Sequence, residues 1–245
     1  MGCDQNLTEV IAVLDRSGSM ANQIDDVLEG FNAFVEDQKE GAGECRFSLY
    51  IFDNKIDRLY EDLEVNRVRP LTKTDYFARG ATSLNDAIGK AIDEAGIRYA
   101  SLPEHRRPGK VIVFISTDGH ENSSIEYPGR GNAVLREKIR VQQEEFSWEF
   151  VFTAAGVDAY EQNADYGFDM NNVLRNSGFG DGTKALYDGL NTKMHSLRRG
   201  EVASMNFSAE EKLDVEQHVD GDDNDAAKNL LRSLTSTDST EDSGS

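Results

Sequence analysis

The stretch "VLDRSGSM", residues 13–20, decides how the rest of the chain is read. It ends an apolar run, Val10-Ile11-Ala12-Val13-Leu14, in Asp15, then sets Ser17 and Ser19 at alternate positions around Gly18. A short continuous apolar run that stops at a turn signal is the pattern of a strand buried on both faces. Asp, Ser and Gly are ordinary turn residues. A carboxylate and two hydroxyls at every second position are also the donor set of a hard metal ion.

Working outward, strand and helix patterns alternate. "CRFSLYIFD" (45–53) reads as a strand, and the more charged "KIDRLYEDLEV" (55–65) as an antiparallel edge strand joined to it by a hairpin. "KVIVFISTDG" (110–119) is apolar and β-branched at nearly every position, as a central parallel strand should be. "WEFVFTAAG" (148–156) is a further strand and "FDMNNVLRN" (168–176) a weak one. Between them, residues 20–39 place Ile24, Val27, Leu28, Phe31, Phe34 and Val35 at helical spacing. "SLNDAIGKAIDEAGIRYA" (83–100) puts Leu84, Ile88, Ile92 and Ile97 on one expected stripe. Further helices are expected over 132–146, 157–167 and 184–199. The predicted class is α/β: a Rossmann-like, doubly wound, mostly parallel six-stranded sheet with one antiparallel edge strand and helices on both faces.

Composition narrows the function. The 245 residues carry a formal net charge of -19, which argues against nucleic acid or an anionic membrane as partner. No run is long enough to span a bilayer, and the first residues lack the basic and apolar flanks of a secretory signal. Met1-Gly2-Cys3 hints at myristoylation, but that pattern wants Ser or Thr where Asn6 stands. Two cysteines, Cys3 and Cys45, do not build a disulfide framework. These features lead to an expectation of a cytoplasmic protein. From Glu201 onward 12 acidic residues face 3 basic ones. We therefore expect a domain over 1–200, an acidic, partly helical extension over 201–234, and a disordered tail over 235–245. Within the extension, Ser208 and Glu211 have capping-box spacing and 226–234 reads as another short helix.

In a doubly wound sheet, ligands bind outside the carboxyl ends of the strands. Two strands end alike there, one in Asp15-Arg16-Ser17-Gly18-Ser19 and one in Ser116-Thr117-Asp118-Gly119, while "RGATSLNDA" (79–87) brings Thr82 to the start of a helix. Hard oxygen donors without thiolate or imidazole suit Mg²⁺, with Mn²⁺ or Ca²⁺ as alternatives, over Zn²⁺ or Cu.

At these residues the sequence resembles the von Willebrand factor type A family, whose metal-ion-dependent adhesion site follows the pattern Asp-x-Ser-x-Ser, then Thr, then Asp. Asp15, Ser17 and Ser19 match the first element, Thr82 the second and Asp118 the third. The resemblance covers roughly residues 8–200. "EFVFTAAGVDAYEQNADYGF" (149–168) looks like a bacterial and phage-type subgroup. It implies that the two Ser hydroxyls and the Thr bind metal directly, while the two Asp act through water or as outer acceptors. The expected function is Mg²⁺-dependent protein–protein recognition, completed by an Asp or Glu of a protein ligand. An alternative is an adaptor or assembly subunit that works without a metal bridge.

Enzyme patterns fit less well. A haloacid-dehalogenase nucleophile would need a second acid where Ser17 stands, and the Lys-bearing Gly loop of nucleotide-binding proteins is missing after the strand. A phosphoester hydrolase is thus the least favoured reading, and no catalytic residue is assigned. "GHENSS" (119–124) lacks the second His of a zinc-protease helix. "DGDDND" (220–225) lacks the Gly and the terminal acid of a calcium loop. Arg16, His120 and Glu121 flank the metal motif and are candidate partner contacts. The acidic tail is a candidate to dock one of its own carboxylates on the metal.

Overall fold

The computed structural model describes residues 2–155, 158–177 and 180–216. Its centre is β1 (Asp4–Asp15), whose last nine residues are all buried because both faces are covered. β4 (Pro108–Thr117) and β2 (Glu44–Phe52) pair with it in parallel on either side. β3 (Ile56–Glu64) returns antiparallel along β2 as the expected edge strand. β5 (Glu149–Ala155) and β6 (Val173–Asn176) extend the other side in parallel, giving the order β3-β2-β1-β4-β5-β6. The chain therefore has five parallel strands and one antiparallel edge, as its patterning indicates.

Alternation along the strands sorts the core into two layers. Val10, Ala12, Leu14, Phe47, Leu49, Ile112 and Phe114 face α1 (Ile24–Lys39) and α5 (Gly180–Arg198). Ile11, Val13, Tyr50, Phe52, Val113, Ile115 and Phe150 face α2 (Leu84–Ser101), α3 (Ala133–Phe146) and α4 (Asp158–Tyr166). Asn132 starts α3 by accepting from the Val134 and Leu135 N–H groups, so an orphan turn of backbone is satisfied. Gly30 of α1 lies flat against the Tyr187 ring of α5, where an added Cβ would sit 2.2 Å from that ring.

Three details differ from the sequence reading. Ile97 is 73% exposed; five residues past Ile92, it is turned roughly 140° off the buried stripe, and Ala95 and Tyr99 take the inner positions. The sixth strand is only four residues long, because Met170–Asn172 form a turn of 3-10 helix first. The chain beyond Gly200 stays packed on the domain as far as Glu216: Met205, Phe207 and Val215 join the layer under α5. α6 (Ala209–Glu216) opens with the expected capping box, the Glu211 N–H donating to Ser208 Oγ at 3.2 Å and the Ser208 N–H to Glu211 Oε2 at 2.7 Å. The helix expected over 226–234, the tail over 235–245, and Gly156 and Val157 lie outside the described residues. Among the described residues no helix is long and apolar enough to cross a membrane.

Candidate metal centre

The site forms where β1 and β4 run out of the sheet side by side, with Leu14 opposite Ser116. Each strand then releases its acid. Asp15 is fully buried. Its Oδ1 accepts the Ser17 N–H at 2.6 Å, the bond that turns the chain out of the strand. Its Oδ2 accepts the Thr117 hydroxyl of β4, also at 2.6 Å. Tyr76 donates its hydroxyl to the Asp15 carbonyl.

Asp118 meets the first motif from the other strand. Ser19 Oγ donates to its Oδ1 at 2.6 Å, Gln23 Nε2 to its Oδ2 at 2.9 Å, and the Ser17 and Ser19 hydroxyls are 3.0 Å apart. Thr82 comes from a third segment, pinned through the Asn122 side chain on its N–H (2.9 Å) and the Asn122 N–H on its carbonyl (3.0 Å). Gly119 shows how closely these groups converge. A Cβ built there would lie 3.3 Å from Thr82 Oγ1, 3.5 Å from Ser19 Oγ and 3.9 Å from Asp15 Oδ2. Oxygens from three segments of chain thus surround one small volume, open because residue 119 has no side chain.

The loops are tied together by backbone. Gly18 N–H donates to the Gly80 carbonyl at 3.2 Å, and Arg79 N–H to the Arg16 carbonyl at 2.9 Å. Gly80 has φ +71°, and a Cβ there would sit 2.4 Å from Asn54 Oδ1, so the residue must be glycine.

The electrostatics favour a cation. Burial pushes the Asp15 carboxyl up to about 6, opposed by its bonds from Thr117 and Ser17 and aided by the Asp118 charge. Burial also raises Asp118. Two acids share this volume, and the cation in the motif turns away from it. Arg16 is only 2% exposed; its Nε meets Asp53 at 2.9 Å, its Nη2 meets Asp57, and its guanidinium lies 5.4 Å from the centroid of the Phe77 ring. Arg16 is therefore not a rim contact: its charge is spent on fastening the loop to the β2–β3 hairpin.

Glu121 is also corrected. It is 9% exposed and accepts from the N–H groups of Asn85, Ser123 and Ser124 and from the Ser124 hydroxyl, at 2.7–2.9 Å. Its carboxylate caps the first turn of α2 from inside the loop. His120 is exposed at the edge of the site. Sequence reasoning missed Thr117, Gln23, Tyr76 and Gly119. Thr117 and Gly119 flank Asp118 directly and carried a signal in their adjacency; Gln23 and Tyr76 carried none, since their roles depend on how the helices land.

No protein-family model and no curated protein matches the sequence. Solved structures do. A von Willebrand factor type A protein from Catenulispora acidiphila superposes with a TM-score of 0.51 at 16% identity, over 79% of this chain and 43% of its own. Proximal thread matrix protein 1 from the mussel byssus gives 0.51 at 15% identity, over 78% of this chain and 46% of its own. This chain has the von Willebrand factor type A fold. It spans less than half the length of the two solved chains it matches. At these identities the likeness is one of type A architecture, and the chemistry of the site rests on this chain's own residues.

Proposed function

We propose that this type A domain is a metal-dependent recognition module that binds a carboxylate of a protein partner. The observation that carries the reading is the convergence of Thr82, Ser19 and Asp15 oxygens around the space beside Gly119. The donor set fits a hard divalent ion: three hydroxyls, from Ser17, Ser19 and Thr82, and two carboxylates, from Asp15 and Asp118. Mg²⁺ is the ion we assign, Mn²⁺ and Ca²⁺ being chemically similar. The three hydroxyls would hold it directly, with Asp15 and Asp118 supplying the opposing charge. Bound there, the ion offers a Lewis-acidic position to an incoming Asp or Glu oxygen.

Two features favour recognition over hydrolysis. Asp15 is engaged on both oxygens and fully buried, so it is poorly placed as a nucleophile. Glu121, the nearest further acid in the sequence, is consumed in capping α2. The test is an affinity selection of acidic peptides in Mg²⁺ and in chelator. The reading expects Asp- or Glu-bearing peptides that bind only with metal and are lost in Ser17→Ala. Peptide binding that ignores chelator contradicts it.

A further inference from the structure

The chain leaves α6 at the same edge of the sheet as the metal residues. α6 runs alongside β6: Lys212 donates to the Met170 and Val173 carbonyls where that strand begins, and four residues on Glu216 accepts the Arg175 N–H at 3.0 Å near its end. Register carries this level across the sheet. Arg175 pairs with Ala154, Ala154 with Thr117, and Leu14 with Ser116, so Asp15 follows Leu14 onto the row of Thr117. Glu216 therefore anchors the chain on the row from which Asp15 opens the site. With strands about 4.8 Å apart, β6 lies roughly 10 Å from β4 and roughly 14 Å from β1. Residues 217–245 follow, with seven acidic and two basic side chains. Asp220, Asp222, Asp223 and Asp225 come first, four to nine residues after Glu216. At about 3.4 Å per extended residue, Asp222 reaches about 20 Å and Asp225 about 30 Å, which spans the distance to the site.

We propose that residues 220–225 are an internal ligand of the metal centre: one of their carboxylates takes the position the ion offers, and a partner's acid has to displace it. The inference rests on the metal-dependent recognition reading and adds its regulation. The contact depends on the ion, because the ground around the site is acidic. Asp26, Glu29 and Asp181 line a cavity where α1 and α5 begin, beside a Lys184 already paired with Asp188, and Asp15 and Asp118 stand in the site itself. Without the ion these charges repel the segment; a bound divalent cation supplies the attraction. Gly119, with no side chain, leaves the approach open. A ligand tethered through a short linker acts at an effective concentration on the order of 1 mM, so a segment with a Kd of about 0.1 mM weakens an external acid about tenfold. Weak acidic ligands are thereby excluded while a strong partner still binds.

The test compares the full wild-type chain with a full-length variant carrying Asp220→Asn, Asp222→Asn, Asp223→Asn and Asp225→Asn. The probe is the segment itself as a fluorescent hexapeptide, acetyl-DGDDND-amide, followed by anisotropy in Mg²⁺ and in EDTA. We expect the variant to bind the peptide at least tenfold more tightly than the wild type in Mg²⁺, and neither chain to bind it in EDTA. Adding Ser17→Ala to the variant should abolish binding. Equal affinity of the two chains in Mg²⁺, or no binding of the peptide to either, overturns the inference and leaves the recognition reading standing if Mg²⁺ still raises both melting temperatures. Failure of Mg²⁺ to stabilise either chain overturns the recognition reading and the inference with it. Sedimentation that shows Mg²⁺-dependent association of wild-type copies, absent in the variant, assigns the segment to a neighbouring copy and overturns the internal contact.

Discussion

Gly119 and Asp15 carry the sharpest consequences at the scale of single residues. Gly119 lacks a positive φ, so its backbone accepts a side chain while the site does not. Gly119→Val should reduce metal affinity at least tenfold with little change in the melting temperature measured in chelator. Asp15 makes a pH prediction. Burial holds its carboxyl up at about 6, above the ordinary 3.8, so between these values the folded chain holds a proton that the unfolded chain has released. Stability in chelator is fully present below the unfolded value and is lost as pH rises through the folded one. Denaturant unfolding from pH 4 to 7 in chelator should show this slope in the wild type and a flatter one in Asp15→Asn. With metal present the competition reverses: protons displace the ion, so metal-induced stabilisation shrinks below the folded value. The acids and hydroxyls of the candidate site were readable in the sequence because Asp15, Ser17, Ser19 and Asp118 follow apolar strand patterns and Thr82 precedes a helical one. The fates of Arg16 and Glu121 were not, because Arg16 is held by Asp53 and Asp57 and Glu121 reaches the Asn85 N–H, all far away in sequence. A charged residue beside a motif looks the same in sequence whether it faces solvent or a buried Asp.

Among the elements, the α2 start is tied to the site through Glu121, whereas the α1–α5 contact at Gly30 and Tyr187 is a core contact apart from it. Glu121 ties the loop after β4 to the first turn of α2, next to Thr82. Glu121→Ala leaves the buried Asn85 N–H and the part-buried N–H groups of Ser123 and Ser124 without an acceptor and should cost about 1–3 kcal/mol, read by chemical denaturation, and should also weaken metal binding through Thr82. Gly30→Ala forces a Cβ onto the Tyr187 ring; overpacking of this kind costs roughly 1–3 kcal/mol, with metal affinity unchanged. The mostly parallel sheet and its antiparallel edge were legible in the strand–helix alternation, whereas the strand order was not, since a two-residue repeat sets faces and not neighbours. Ile97 shows the limit: its hydrophobicity suggests the stripe, but its angle on the helix puts it in water. β6 shows another, for four residues with Asn and Arg among them carry little strand signal, and their pairing is enforced by β5.

The whole molecule extends beyond the acidic boundary suggested by charge. Glu216 reaches back to the free edge of β6, accepting the Arg175 N–H at 3.0 Å and the Tyr160 hydroxyl at 2.8 Å, while Lys212 donates to the Val173 carbonyl at 2.9 Å. Side chains of α6 thus stand where a neighbouring strand would pair, which protects an open edge. Net negative charge hid this, because the burial rests on a few residues, Met205, Phe207 and Val215, spaced through a polar stretch. Ending the chain after Gly200 should unfold the domain or lower its melting temperature sharply, whereas ending it after Glu216 should preserve the melt. The second truncation is also the correct test of a tail carboxylate acting on the metal, since it keeps Met205, Phe207 and Val215.

The central claim is that Asp15, Ser17, Ser19, Thr82 and Asp118 hold a divalent ion, and thermal unfolding in Mg²⁺ against EDTA tests it most directly. At a hundredfold excess over Kd, binding to the folded state alone stabilises by about 2.7 kcal/mol. The expected result is a higher melting temperature in metal for the wild type and superimposable curves for Gly119→Val. Superimposable wild-type curves in Mg²⁺, Mn²⁺, Ca²⁺ and EDTA would contradict it.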